Sequence, residues 1–273
     1  MRSGSKTNSG RTTAHVPRKR FGQHFLHDPG VLRRIVDSIA PAPGDVVVEI
    51  GPGEGALTRV LLARLPRLTA IEIDRDLAAR LAEEFTPERL TIHCADALEF
   101  DFSALAQGAR LVGNLPYNIS TPLLFHLSEQ ADRFKDLHFM LQREVVDRMV
   151  ARHSTPDYGR LSVMLQTRFR MRKLFGVAPG AFRPPPTVES AVVRLEPIPE
   201  TELPRIDQKV FADLVRRAFS ARRKTLRNAL ALDGAAFGAL RLDPKLRPEN
   251  LSPSDYVRIA QHLMRGATPA CAR

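Results

Sequence analysis

Val46-Val47-Val48-Glu49-Ile50 is a short, β-branched, almost wholly apolar run that stops at Gly51-Pro52-Gly53-Glu54-Gly55. Such a run reads as a strand buried on both faces, and the glycines after it read as a tight turn. From Ala56 to Leu65 apolar residues fall at helical spacing. A buried strand, a glycine turn and a helix together constrain the chain to an α/β sheet with parallel neighbours. Leu68 to Ile73 then reads as a second strand carrying Glu72, and Leu90 to His93 as a third leading to Asp96. Arg110 to Val112 is a fourth, delivering Asn114-Leu115-Pro116-Tyr117 to the carboxyl edge of the same sheet. Open α/β sheets bind their ligands at that edge.

The glycine turn by itself leaves two cofactors open. Gly51-Pro52-Gly53-Glu54-Gly55-Ala56 satisfies a dinucleotide fingerprint, with alanine at the last position. Glu72, about twenty residues on, suits a nicotinamide ribose as well as that of S-adenosyl-L-methionine. Asp96 favours the methyl donor, since an acid after the third strand belongs beside that donor's adenine. Asn114-Leu115-Pro116-Tyr117 decides the matter, because hydride transfer by an NAD-dependent oxidoreductase has no use for it. The order predicts an amino-group methyltransferase.

The chemistry explains these residue types. An exocyclic adenine amine is a poor nucleophile because its lone pair is delocalised into the ring. Acceptors aimed at both amine hydrogens favour a pyramidal nitrogen whose lone pair can meet an electrophilic methyl. The Asn114 amide oxygen offers one acceptor and the Leu115 carbonyl the other. Pro116 restricts Leu115 to extended dihedrals and so fixes that carbonyl's direction. Tyr117 offers a flat face for a flipped base, a contact worth about 1–3 kcal/mol. No strong base is required, since the amine becomes acidic once it carries the new methyl.

The chain resembles the ribosomal RNA adenine dimethyltransferases, above all the bacterial branch that dimethylates two adjacent adenosines near the 3′ end of 16S rRNA. The resemblance runs from about Arg20 to the region of Leu263. It rests on Phe21-Gly22-Gln23-His24-Phe25-Leu26, Glu49 to Gly55, Asn114 to Tyr117, and Phe182-Arg183-Pro184-Pro185-Pro186-Thr187-Val188-Glu189-Ser190. Met140 to Val145, Tyr158 to Val163 and Arg222 to Arg227 match as well. The fold so implied is α/β, a Rossmann-like S-adenosylmethionine-dependent methyltransferase domain with a small all-helical C-terminal domain. The resemblance implies that Gly51, with Gly53 in the same loop, lies at the donor's methionine end, that Glu72 binds its ribose hydroxyls, and that Asp96 binds its adenine amine. It implies that His24 and Leu26 close the donor pocket, that Asn114 borders it, and that Phe182 stacks on the target adenine across from Tyr117. It also implies that modification coexists with a role in assembling the small ribosomal subunit. An antibiotic-resistance branch methylates one adenosine of large-subunit RNA; Arg222 to Arg227 and Leu246 to Ser252 favour the small-subunit branch.

Composition agrees. Lysine and arginine number 41 against 30 acids, a formal charge of +11 that suits a polyanionic partner. Cys94 and Cys271 form neither a disulfide framework nor a metal-spaced set, which fits a reducing cytoplasm and a site without metal. No run of about eighteen apolar residues exists to span a membrane. Residues 1–20, basic and rich in Ser, Thr and Gly, read as a disordered extension. Residues 21–197 are expected to form the methyltransferase domain, and the prolines at 197, 199 and 204 a linker. Residues 205–265 are expected to form a helical RNA-binding domain. There Phe211, Leu214, Val215, Ala218, Phe219, Leu226 and Leu230 keep near-helical spacing. Arg216, Arg223, Lys224 and Arg227 fall on the other side, with Arg222 near the border, and no acid lies between Arg216 and Arg227. These cations are the expected phosphate contacts. A further helix is expected from Ser254 to Leu263, capped by Ser252 or Ser254. Arg168 to Lys173 reads as an edge strand blunted by charge. The chain is expected to act as a monomer.

Overall fold

The computed structural model describes residues 24–230 and 232–266. The basic extension 1–20, Phe21 to Gln23 of the first motif, and Cys271 lie outside the described residues.

The chain begins with β1 (Phe25–Leu26) and α1 (Pro29–Ile39), then alternates β2 (Val47–Ile50), α2 (Ala56–Leu62), β3 (Leu68–Glu72), α3 (Arg75–Glu84) and β4 (Leu90–Cys94). There follow β5 (Ala109–Asn114), α4 (Ser120–Glu129), β6 (Phe134–Gln142), α5 (Arg143–Val150), α6 (Arg160–Gln166), β7 (Phe169–Val177), β8 (Phe182–Arg183) and β9 (Ser190–Pro197). The seven-stranded sheet has the order β4-β3-β2-β5-β6-β9-β7, and β1 pairs with β8 separately. The pairs from β4 through β6 are parallel; β9 runs antiparallel between β6 and β7. The chain winds outward from β2 to β4, then crosses back to β5. A crevice therefore opens between the carboxyl ends of β2 and β5, where strand order reverses.

Side chains alternate across the sheet, as the two-residue strand period requires. Val48 and Leu111 pack in the core on one face; Val47, Ala70 and Val112 pack in the core on the other. Between β2 and β5 the strands come so close at their ends that a Cβ on Gly113 would lie 2.5 Å from the Ile50 carbonyl oxygen. β7 is an edge strand as the charge pattern predicts. Arg170 pairs with Glu202 and Lys173 with Asp147, so two of its cations are ion-paired.

At the amino ends of the strands sits a buried ionic cluster. Arg110 donates two hydrogen bonds to Asp136, both 2.8 Å, another to Asp45 at 2.8 Å, and one to the Ile39 carbonyl at 2.7 Å. Burial opposes ionisation of both acids. The hydrogen bonds from Lys135, the Ala42 amide and Arg110 outweigh it at Asp45, and those from Arg110 do so at Asp136; both carboxyls stay below their usual range.

Beyond the sheet come α7 (Gln208–Ser220), α8 (Leu226–Ala229), α9 (Gly234–Leu240) and α10 (Pro253–Gly266). Asp207 caps α7 by accepting the amides of Lys209 and Val210. The Ser252 hydroxyl accepts the Asp255 amide at the start of α10. These helices do not bury themselves alone: Tyr158 and Val163 share one core with Phe211, Val215, Tyr256 and Ile259. The Tyr158 hydroxyl donates to the Leu251 carbonyl at 2.9 Å.

The helical spacing read from Phe211 to Leu230 spans a break. α7 stops at Ser220, residues 221–225 form a turn, and α8 is a separate short helix. Phe219 and Leu226 are seven residues apart, a spacing that a continuous helix and a helix-turn-helix satisfy equally. The turn is fixed from outside, by the Leu226 amide donating to the Leu246 carbonyl at 2.7 Å.

Candidate active site

The crevice holds a pocket that opens to solvent. His24, Leu26, Gly51, Gly53, Glu72, Asp96, Asn114, Leu115, Pro116 and Tyr117 all line it. Five elements far apart in sequence thus deliver one wall each.

β2 supplies the floor. Gly51 donates its amide to the Ile71 carbonyl at 2.9 Å, which holds the turn against β3. Gly53 has φ +58°, and a Cβ there would approach the Phe25 ring to 3.1 Å. Both facts require glycine. β3 supplies Glu72, 4% exposed. Its Oε2 accepts the Gly53 amide at 3.0 Å and its Oε1 the Asp74 amide at 2.9 Å. Each oxygen retains a lone pair for a ligand. Burial raises the Glu72 carboxyl above its usual range, the Asp74 and Gly53 amides opposing. Beside it Ile73 is 43% exposed, an apolar wall that sequence reasoning missed; its signal is a large apolar residue directly after a strand-end acid. After β4, Asp96 accepts the Leu98 amide through Oδ1 at 2.9 Å.

β5 ends in Asn114. Its side-chain amide donates to the His24 carbonyl at 2.9 Å. Asn114 Oδ1 and the Leu115 carbonyl accept no hydrogen bond among the described residues. The Leu115 amide donates to the Met140 carbonyl at 3.1 Å, and Pro116 follows, so the carbonyl direction is fixed from both sides. The Tyr117 hydroxyl shares a 2.7 Å hydrogen bond with Ser190, a partner on β9 that sequence reasoning missed. Burial raises the Tyr117 phenol above its usual range, the Ser190 bond opposing, so it stays neutral. His24 closes the side: its Nδ1 donates to the Pro184 carbonyl at 2.8 Å, and its ring stacks on Tyr117.

Phe182, expected as a second stacking wall, is not among the residues that line the pocket. It is 2% exposed, pairs in register with Leu26, and belongs to the same core cluster as Leu32, Ile35 and Phe175. In this structure it offers the pocket no open ring face. The β1–β8 pairing that buries it joins segments more than 150 residues apart in sequence.

The basic residues form a second surface. Arg223, Lys224 and Arg227 are exposed and make no ion pair among the described residues. Arg216 pairs with Asp213 at 2.9 Å. Arg222 is committed elsewhere, to Glu249 at 2.6 Å and to the Pro156 carbonyl at 2.9 Å. The break in the helix explains the difference: Arg222, Arg223 and Lys224 sit on a turn, not on one helical face. That turn lies beside the segment carrying exposed Lys245 and Arg247, which sequence spacing did not connect to it.

Among the described residues, no group of three or more His, Cys, Asp or Glu side chains is placed to hold a metal ion. Among them too, no helix is long and apolar enough to cross a membrane.

Comparisons with known proteins agree with this geometry. A family model described as ribosomal RNA adenine dimethylase matches residues 14–264. Ribosomal RNA small subunit methyltransferase A of Thiobacillus denitrificans is 59% identical over 251 residues, which are 91% of this chain and 98% of that protein. A dimethyladenosine transferase from Plasmodium falciparum, 25% identical, superposes with a TM-score of 0.75 over 89% of this chain and 98% of its own. The 23S rRNA methyltransferase ErmE, 26% identical, gives 0.67 over 88% and 99%. The chain belongs to the ribosomal RNA adenine dimethylase family.

Proposed function

We propose that this protein transfers methyl groups from S-adenosyl-L-methionine to the N6 amines of two adjacent adenosines near the 3′ end of 16S rRNA, in the small ribosomal subunit. The observation that carries the proposal is at Asn114 and Leu115. Two acceptors without partners among the described residues, Asn114 Oδ1 and the Leu115 carbonyl, border the same pocket as the Glu72 carboxylate. The relatives named for the small subunit support the choice of RNA.

In this proposal Gly51 and Gly53 let the backbone approach the donor, Glu72 accepts its ribose hydroxyls, and Asp96 accepts its adenine amine. Ile73 gives the adenine ring an apolar wall, while His24 and Leu26 shut the pocket from the N-terminal side. Bound there, S-adenosylmethionine supplies an electrophilic methyl. Asn114 and Leu115 hold both hydrogens of the target amine, which frees its lone pair from the ring. Pro116 keeps the second acceptor aimed. Tyr117 takes the flipped base on its face, as enzymes acting on bases require. Orientation then supplies most of the rate, and the proton released from the methylated amine passes to solvent. Arg223, Lys224 and Arg227, with Lys245 and Arg247 beside them, meet RNA phosphates; Arg216 and Arg222 act there only after giving up their acidic partners. The transfer asks for no metal and no second copy of the chain, and its proposed place is the cytoplasm, during small-subunit assembly.

The test is Asn114→Ala, incubated with labelled methyl donor and unmethylated small or large subunits. Donor binding should persist while transfer to small subunits falls about 10²–10³-fold, the effect of losing one transition-state hydrogen bond. Near-parental turnover would overturn the role of Asn114, and label on large subunits alone would overturn the choice of RNA.

A further inference from the structure

Glu49 lies on β2, the strand that ends in the glycine turn, and is 1% exposed. Its neighbours in register are Ala70 on β3 and Val112 on β5, both apolar. Oε2 accepts the Thr58 hydroxyl from α2 at 2.7 Å. Oε1 accepts no hydrogen bond among the described residues, and Glu49 lines the donor pocket. A carboxyl with one oxygen satisfied and the other turned to a pocket is an unusual thing to bury ionised.

The charged groups facing it do little to help. From β3 comes Glu72, which repels a charge on Glu49; from α2 comes Arg59, which attracts it. Arg59 is itself bound to Glu84, its Nε donating at 2.6 Å. The β5 side contributes Val112 and the neutral Asn114. Burial, opposed by the Thr58 hydrogen bond and reinforced by Glu72, pushes the Glu49 carboxyl up to about 7. The pocket is therefore lined by two buried carboxyls, Glu49 and Glu72, and among the described residues the one cation facing Glu49 is already bound to Glu84.

We propose that Glu49 is a proton-linked counter-charge for the donor, holding a proton while the pocket lacks a cation and releasing it when a cationic ligand seats beside it. The inference rests on the reading of the pocket as the S-adenosylmethionine site. The ligand chemistry is a cationic centre, and the donor carries two, a sulfonium and an ammonium. On binding, the carboxyl O–H bond breaks, the proton passes to solvent, and the carboxylate stays paired with the ligand's charge. The bound state then holds fewer protons than the empty one, so affinity rises with pH. Below the midpoint of the empty pocket the Kd should tighten by up to about tenfold per pH unit, and above it the Kd should level off.

The test is calorimetric titration of the full chain in two buffers of different ionisation enthalpy, with S-adenosylmethionine, S-adenosylhomocysteine and adenosine. At pH 7 the methyl donor should release about half a proton per site, since a group titrating near 7 is half protonated there. Adenosine, which carries neither cation, should release none. Release with S-adenosylhomocysteine assigns the ammonium as partner; its absence there assigns the sulfonium, and either supports the proposal. Glu49→Gln keeps an acceptor for Thr58 and should bind adenosine as the parent does while abolishing the release. A difference infrared spectrum of the unmutated protein should lose a protonated-carboxyl stretch on donor binding, which serves if the variant folds poorly. Donor binding without proton release, or release that survives in Glu49→Gln, overturns the proposal. No donor binding at all removes the pocket assignment itself, and the proposal with it.

Discussion

The imidazole of His24 lies over the ring of Tyr117, with centroids 5.7 Å apart and 30° between planes. One face of the Tyr117 ring therefore has His24 as its neighbour. Two aromatic contacts of about 3.5 Å each need roughly 7 Å, so a base entering between the rings must push the imidazole aside. The imidazole is tethered by its Nδ1 bond to Pro184, and its backbone by the Asn114 amide. Base entry and the setting of Asn114 are thereby coupled through one residue.

Variants of Tyr117 separate ring from hydroxyl. Tyr117→Phe loses only the bond to Ser190, worth about 1 kcal/mol, and should stay within several-fold of the parent in kcat/KM for small subunits. Tyr117→Ala removes the stacking face and should lose about 1–3 kcal/mol, on the order of 5- to 150-fold. Donor affinity should not change in either. An alanine variant with parental kcat/KM would leave the base without its stacking wall.

Much of this site is legible in sequence because buried parallel strands read as unbroken apolar runs. Val46 to Ile50 and Arg110 to Val112 announce themselves, and the glycines and Asn114 to Tyr117 mark where each run ends. What escapes is whatever depends on partners distant in the chain. Phe182 is a stacking candidate by resemblance alone, and nothing local says that Leu26 will pair with it. Arg110 reads as the start of a strand, and only the fold brings Asp45 and Asp136 to it. The break at residues 221–225 is invisible to periodicity because Leu226 is held by Leu246, a contact across the fold.

Glu72 offers a cleaner test of the donor pocket. Glu72→Gln keeps an acceptor for one of the two amides it now serves, yet removes the charge toward the ribose. Hydrogen bonds to a charged group contribute about 1.5–3 kcal/mol, so the Kd for S-adenosylmethionine should rise at least about tenfold in a calorimetric titration. Unchanged donor affinity, or tight binding of NAD in its place, would reassign the pocket.

The basic turn predicts a salt effect. Replacing Arg223, Lys224 and Arg227 by alanine removes three exposed cations that have no ion-pair partner among the described residues. The plot of log affinity for small subunits against log salt should flatten by about one unit per residue that meets a phosphate. Methylation should fall at limiting substrate and partly recover at saturation, with donor affinity constant. Arg222→Ala, by contrast, breaks the tie to Glu249 and should lower the melting temperature. An unchanged salt slope in the triple variant would make the turn an ordinary solvated surface.

Arg110→Met should destabilise the fold by up to about 3–5 kcal/mol at neutral pH, since it takes their shared cation from the buried Asp136 and the partly buried Asp45 and leaves them only Arg194 and Lys135. The folded-state pKa values of Asp45 and Asp136 are depressed, so their contribution is present at neutral pH and lost as pH falls through the folded values. Without Arg110 that acid-linked loss shrinks, so the gap between parent and variant should narrow on acidification. Denaturant melts at neutral and acidic pH would show it; a gap independent of pH would mean that packing, not charge, is what Arg110 provides.

Tyr158 has a consequence for how the molecule comes apart. Its ring is fully buried in the C-terminal helices while its chain segment leads into α6, which packs under the sheet. Neither half can swing open without wetting that ring and freeing its hydroxyl from Leu251. Local opening of the helices and local opening of α6 are thus one event, a single cooperative unit in the sense that hydrogen exchange resolves. A ligand that clamps the helices shut also protects the amides of α6, and stiffness imposed at the C-terminal helices is felt next to the sheet.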